Sequence, residues 1–174
     1  MKTISVNRLR AGDILLCVGD SETAKTILKS TGGKFSHTAV VVEINGILYV
    51  FDAQLKGCKP MLLDNWIRKW EYEFRVFRNP NPKISDVALS NWYLQFSGVD
   101  YDVKGFSVGI VKSFLINSKL SFLVSNKTMH EKYKNNGLFW CSELTMKLYV
   151  EDAHQYTPQN VFDWVQKNNW YEII

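Results

Sequence analysis

The 174-residue sequence predicts one α+β domain with a mainly antiparallel sheet and flanking helices, and three observations carry this. The stretch KFSHTAVVVEINGILYVFDAQ, Lys34 to Gln54, sets two runs rich in β-branched and aromatic residues on either side of Asn45-Gly46. That dipeptide favours a two-residue hairpin turn, because both residues accept the positive φ such a turn requires. Separately, Ser21, Ser85 and Thr157 each stand where a helix N-cap belongs, ahead of helix-forming stretches. Finally, no internal repeat or low-complexity linker divides a chain of this length, so one core serves all of it. Strands joined by tight turns run antiparallel, and helices interspersed among them pack on the sheet.

The elements follow in order. Asp13 to Val18, DILLCV, is a short apolar run after Ala11-Gly12 and reads as a buried strand. SETAKTILKS opens a helix at Ser21 that ends at Gly32 or Gly33. After the hairpin, Asp64 to Trp70 forms a short helix, and EFRVFRNP alternates as a strand stopped by Pro80 and Pro82. Ser85 caps a helix running to Phe96, and a glycine-containing loop then carries Val99-Asp100-Tyr101-Asp102. Gly105 to Val124 is amphipathic, and Lys112 and Lys119 break the apolar length that a spanning helix needs. It is expected to cover the fold or a cleft. From Leu138, LFWCSELTMKLYVED reads as a helix with Cys141, Ser142 and Glu143 in its first turn. Thr157-Pro158 begins the last helix as N-cap and N1, and WYEII closes the chain as an edge strand.

Composition narrows the functions. The net charge of +4 is mild and the lysines are scattered, so no basic stripe for nucleic acid is expected. Three cysteines are too few and odd in number for a disulfide framework. The N-terminal MKTISVNRLRAGD has no apolar core and no cleavage site of a secretory signal. A reduced, cytoplasmic setting is expected, where thiols stay free to react. The Gly105–Val124 stretch allows membrane-surface contact without favouring it. Aromatic residues make up 14% of the chain, which suits a tightly packed interior or an aromatic-lined cleft.

A two-residue turn at Asn45-Gly46 fixes the hairpin register and puts His37, Asp52 and Gln54 on one face at its open end. Gln54 lies opposite His37 and Asp52 is its diagonal neighbour, at about 7–8 Å between Cα atoms. Asp52 would then accept a hydrogen bond from one ring nitrogen and leave the other for chemistry. A satisfied structural histidine is the alternative. Glu43 shares that face but sits beside the turn, facing solvent.

Cys141 supplies what the hairpin lacks. A nucleophilic cysteine acts as its thiolate, which a helix N-terminus and a nearby imidazolium both favour, and the unused N–H groups there would bind an oxyanion. Cys17 lies inside ILLCV and reads as core; Cys58 follows Lys56-Gly57 in a polar loop. His130 and His154 have no ligand spacing with any cysteine, so no zinc site is expected. Ser36, Tyr101 and Trp140 are candidates to line a substrate cleft.

Taken in order, GDILL, SHTAVVVE, FDA, the Tyr101-Asp102 loop, FWCSEL and Thr157-Pro158 resemble the permuted papain-like amidases, YiiX-like relatives of the NlpC-type cell-wall peptidases. The resemblance spans roughly Gly12 to Pro158. Its specific parts are Ser36-His37 at a strand start and the Trp140-Cys141-Ser142-Glu143 block. It implies a circularly permuted papain-like fold, with the histidine ahead of the cysteine. It further implies Cys141 as nucleophile, His37 as general base and acid, and Asp52 as the third member. The family often has Glu there, one methylene longer, so Gln54 stays open as the residue that orients the ring.

These roles describe a cysteine hydrolase that cleaves an amide through an acyl-enzyme, with no metal or organic cofactor. The resemblance implies small peptides or peptidoglycan-derived fragments as substrates. One alternative is a lipid acyl hydrolase or acyltransferase on a related permuted scaffold, although those relatives place the cysteine in an Asn-Cys-Glu-His type of block. The other is a catalytically inactive binding module on the same fold.

Overall fold

The protein is described from a computed structural model, over residues 8–70, 73–81, 84–105, 107–108, 110–111 and 137–173. One six-stranded sheet organises it, built from β1 (Ile14–Cys17), β2 (His37–Ile44), β3 (Ile47–Gln54), β4 (Gly57–Leu62), β5 (Phe74–Arg78) and β6 (Tyr171–Glu172). Their spatial order is β4-β3-β2-β1-β5-β6, and every neighbouring pair is antiparallel. The helices are α1 (Glu22–Thr31), α2 (Leu63–Lys69), α3 (Asp86–Phe96), α4 (Cys141–Met146) and α5 (Pro158–Lys167), with a 3-10 turn at Ala153–Gln155. The α+β class with a mainly antiparallel sheet and flanking helices is thus the observed one.

The hairpin has the expected register, from Val40 opposite Phe51 to Ile44 opposite Ile47. Asn45 and Gly46 take φ values of 53° and 75°, the pair of left-handed residues that a two-residue turn of this hand demands. The caps also form: Ser21 Oγ accepts from the Ala24 N–H at 3.1 Å, and Thr157 and Asn160 make a reciprocal capping box.

Burial explains why DILLCV and HTAVVVE do not alternate. Leu15, Cys17, Ala39, Val41 and Val50 face Trp66 on α2, while Ile14 and Leu16 face Met146, Val161 and Val165. Val40, Val42 and Phe51 meet Leu89, Trp92 and Leu144. Central strands covered on both faces have no polar side to show. The glutamate at position 43, beside the turn, is exposed as expected.

Two details differ from the sequence expectation. Gly57 to Leu62 forms β4, where a polar loop was expected, so Cys58 lies in a strand and is fully buried. Pro60 is tolerated because β4 is an edge strand. The helix expected from Leu138 begins at Cys141 and ends at Met146, because residues 147–149 turn away from it. Of the Gly105–Val124 stretch, residues 105, 107–108 and 110–111 are helical; the remainder, and His130, lie outside the described residues. Among the described residues, no helix is long and apolar enough to cross a membrane.

Candidate active site

His37 is the first residue of β2 and pairs with Cys17 of β1. Alternation along β2 and β3 sends His37 and Asp52 to the face covered by α2, and His37 Nε2 lies 2.8 Å from Asp52 Oδ2. Gln54 Nε2 donates to Asp52 Oδ1 and Oδ2, each at 3.2 Å. The question of Asp52 or Gln54 thus has a serial answer. Asp52 holds the ring, and Gln54 holds Asp52. The Asp52 side chain is 1% exposed, so these partners replace the water its carboxylate has lost.

With Nε2 committed to Asp52, the ring nitrogen left for chemistry is Nδ1, and His37 and Cys141 line the same cleft, near enough for each to shift the other's titration. Cys141 comes from the opposite layer. All six residues of α4 are buried, and the hydroxyls of Ser142 and Thr145 find the partners that burial demands. Ser142 Oγ donates to the Tyr156 carbonyl at 2.6 Å, and Trp140 Nε1 donates to the same oxygen at 3.1 Å. Thr145 Oγ1 meets Thr38 Oγ1 of β2 at 3.0 Å. These bonds fix the start of α4 against the mouth of β2. The backbone N–H groups of Thr38 and Ser142 then favour the Cys141 thiolate.

The electrostatics follow from this packing. Burial is the largest influence on Cys141 and pushes its thiol up, but the His37 charge, its hydrogen bond and the two backbone donors outweigh it. The net shift is downward. Burial likewise disfavours a charged His37, and the Cys141 thiolate and Asp52 override it, raising the ring to about 10. The His37 side chain keeps 16% exposure at the cleft, so water moderates that rise. Both shifts favour a thiolate–imidazolium pair at neutral pH. The other thiols behave oppositely, because burial pushes Cys58 up to about 12 and Cys17 well above the usual range.

Beside the pair, Tyr101 forms an isolated parallel bridge with Phe139, which brings the Tyr101 loop along the chain entering α4. Burial, then the Cys141 charge, pushes its phenol well above the usual value. Glu143, two residues after Cys141, is pushed up to about 8, chiefly by burial, with Asp102 adding to the shift and Lys147 and the Trp140 N–H opposing it.

His37, Cys141, Tyr101 and Gln54 share a cleft of about 490 Å³ whose apolar lining includes Ile27, Leu55, Trp66 and Trp70. Ser36 also lines it, but its hydroxyl accepts from the Gly19 N–H at 3.0 Å and so holds the adjoining loop. Trp140 is not brought to the cleft: its indole turns to the Tyr156 carbonyl. Sequence reasoning missed Thr38, whose contribution is a backbone group without a sequence signal. It also missed Trp66 and Trp70, although the spacing in WIRKW places both on one helix face.

No family model matches the chain, and no curated protein matches it. Among solved structures, the fold is similar to the crystal structure of the metalloprotein YiiX from Escherichia coli O157:H7, with a TM-score of 0.56 and 22% identity. The match covers 82% of this chain and 66% of that one, so the chain spans just under two thirds of its neighbour's length. The fold is therefore YiiX-like. Among the described residues, no three His, Cys, Asp or Glu side chains are grouped to hold a metal ion.

Proposed function

We propose that the protein is a papain-like cysteine hydrolase that cleaves an amide bond in small peptides or peptidoglycan-derived fragments, with Cys141 as nucleophile, His37 as acid and base, and Asp52 as the residue that orients His37. The observation that carries this reading is the hydrogen-bonded series Gln54, Asp52, His37, with His37 and Cys141 together at the wall of one cleft. A thiol whose pKa falls despite burial is poised to attack, whereas structural buried cysteines shift the other way.

In this mechanism the Cys141 thiolate attacks the substrate carbonyl, and the Cys141 N–H donates to the oxyanion that forms. The imidazolium Nδ1–H protonates the departing amine, which leaves an acyl-thioester on Cys141. Neutral His37 then takes a proton from water, hydroxide attacks the thioester, and the thiolate departs to restore the ion pair. Asp52 stays hydrogen-bonded to Nε2 throughout and keeps the ring from turning. Fluorogenic amides of short peptides are expected to be hydrolysed, with Cys141→Ser lowering kcat by about 10³-fold or more. Turnover that survives Cys141→Ser and prior iodoacetamide treatment would contradict the proposal.

The apolar lining at Ile27, Leu55, Trp66 and Trp70 supports a second reading, a lipid acyl hydrolase or acyltransferase using the same pair. Acyl esters presented in vesicles separate the two. Faster turnover of these than of any peptide amide would select the second.

A further inference from the structure

We propose that Trp70 is a positioning residue for His37: its indole covers one face of the imidazole, holds the ring in the plane that reaches both Asp52 and Cys141, and favours its protonated form. The inference rests on the cysteine hydrolase reading above. The two rings stack with centroids 5.4 Å apart and planes 19° from parallel. On its other side Trp70 stacks on Trp66 at 5.0 Å and 6°, and Trp66 meets the edge of Phe74 at 5.3 Å. Trp66 is 2% exposed and belongs to the core cluster of the α2 face. The imidazole is therefore the outermost member of a stack that runs into the core.

Local backbone structure sets this stack. Trp66 and Trp70 stand four residues apart at the end of α2, and the Trp70 N–H donates to the Trp66 carbonyl at 2.8 Å. The indole N–H groups of both are buried and find no acceptor among the described residues, so ring faces hold the indoles in place. A hydrogen bond to Asp52 fixes one ring atom of His37 and leaves rotation about the bond to Cβ partly free. A flat surface against the ring removes that freedom. The face of an indole also carries negative potential, which attracts a cation placed over it within about 6 Å.

The titratable and charged groups that meet His37 come from several elements: Asp52 from β3, Cys141 from α4, and Cys17 from β1, its cross-strand partner. Tyr101 and Lys69 share the cleft wall. Trp70 carries no charge, so its removal acts through the ring's orientation, the electrostatics of its face and the ring's burial, the last of which Trp70→Leu and Trp70→Phe both relieve.

The test compares Trp70→Phe and Trp70→Leu in the full chain. The rate of Cys141 alkylation by iodoacetamide is followed from pH 5 to 10, and the His37 ring proton signals are titrated by NMR. Trp70→Leu is expected to slow alkylation about tenfold at pH 6 while leaving the rate at pH 10 within about twofold, and to lower the His37 midpoint. Trp70→Phe, which restores an aromatic face, is expected to recover most of both. If Trp70→Leu melts at a lower temperature yet keeps the unaltered alkylation profile and His37 midpoint, Trp70 is mere packing and the inference falls alone. An ordinary thiol profile in the unaltered chain would overturn the inference together with the hydrolase reading.

Discussion

His37 experiences opposing demands, since burial works against its charge while Cys141 and Asp52 support it. The sign of the outcome sets a pH window. The Cys141 thiol loses its proton below its ordinary value and the His37 ring keeps its own to about 10, so the charged pair spans the interval between. Amide hydrolysis, followed as kcat/KM, is expected to fall on the alkaline side with a midpoint near pH 10. In Asp52→Ala that limb is expected to move to lower pH, because a support of the imidazolium is gone. A limb that stays near 10 would mean Asp52 does not support it. Gln54→Leu removes a hydrogen bond to a carboxylate, a loss of about 1.5–3 kcal/mol, and is expected to lower kcat about tenfold or more with a smaller displacement of the limb. At this scale much was legible in the sequence. Counting back from Asn45-Gly46 placed His37, Asp52 and Gln54 on one face, since register is a property of the backbone. The order in which those side chains bond was not legible, because rotamers are set by packing from α2 and α4, which lie far off in the chain.

The α4 helix shows what an element needs when every side chain is buried. Glu143 holds its proton up to about pH 8, against an ordinary 4.5. A carboxyl raised on folding destabilises the folded state as pH climbs from its unfolded value through its folded one, and the penalty is complete above that. The thermal stability of the unaltered chain is therefore expected to fall between pH 5 and 8. Glu143→Gln keeps the shape and the acceptor for the Trp140 N–H, so it should weaken less, with a difference between the two of about 1–3 kcal/mol at pH 8.5. Parallel melting curves would argue against a raised carboxyl. Elements with their own local signals were readable: Ser21, Ser85 and Thr157 cap the helices expected of them. The β4 strand was not, because Lys56-Gly57 and Pro60 look like loop residues until β3 supplies a partner edge. The end of α4 at Met146 was equally hidden, since nothing in LTMKLYVED breaks a helix locally.

Across the molecule, the sheet brings together residues that the sequence keeps apart. Asp13 at the start of β1 takes a two-pronged grip from Arg78 at the end of β5, with Nε to Oδ1 and Nη2 to Oδ2 each at 2.7 Å. The Asp13 side chain is 1% exposed, so Arg78→Met strands a buried carboxylate and is expected to cost about 3–5 kcal/mol of stability. Because this pair adjoins a cavity lined by residues such as Arg10 and Tyr149, apart from the cleft of His37, the surviving folded fraction should keep its Cys141 reactivity. Loss of reactivity per folded molecule would show that the two regions are coupled. The fold class was legible because Asn45-Gly46 calls for an antiparallel hairpin and Ser21, Ser85 and Thr157 mark helices around it. His37 and Cys141 stand 104 positions apart in the chain, and only the order of the two motifs hinted at their meeting. That meeting is the centre of the account, and the rate of Cys141 alkylation by iodoacetamide against pH, with and without His37→Ala, measures it most directly. The account predicts reaction well below the ordinary thiol pKa of about 8.5, and a shift of the profile to higher pH in His37→Ala. A profile centred on the ordinary value and indifferent to His37→Ala would contradict it.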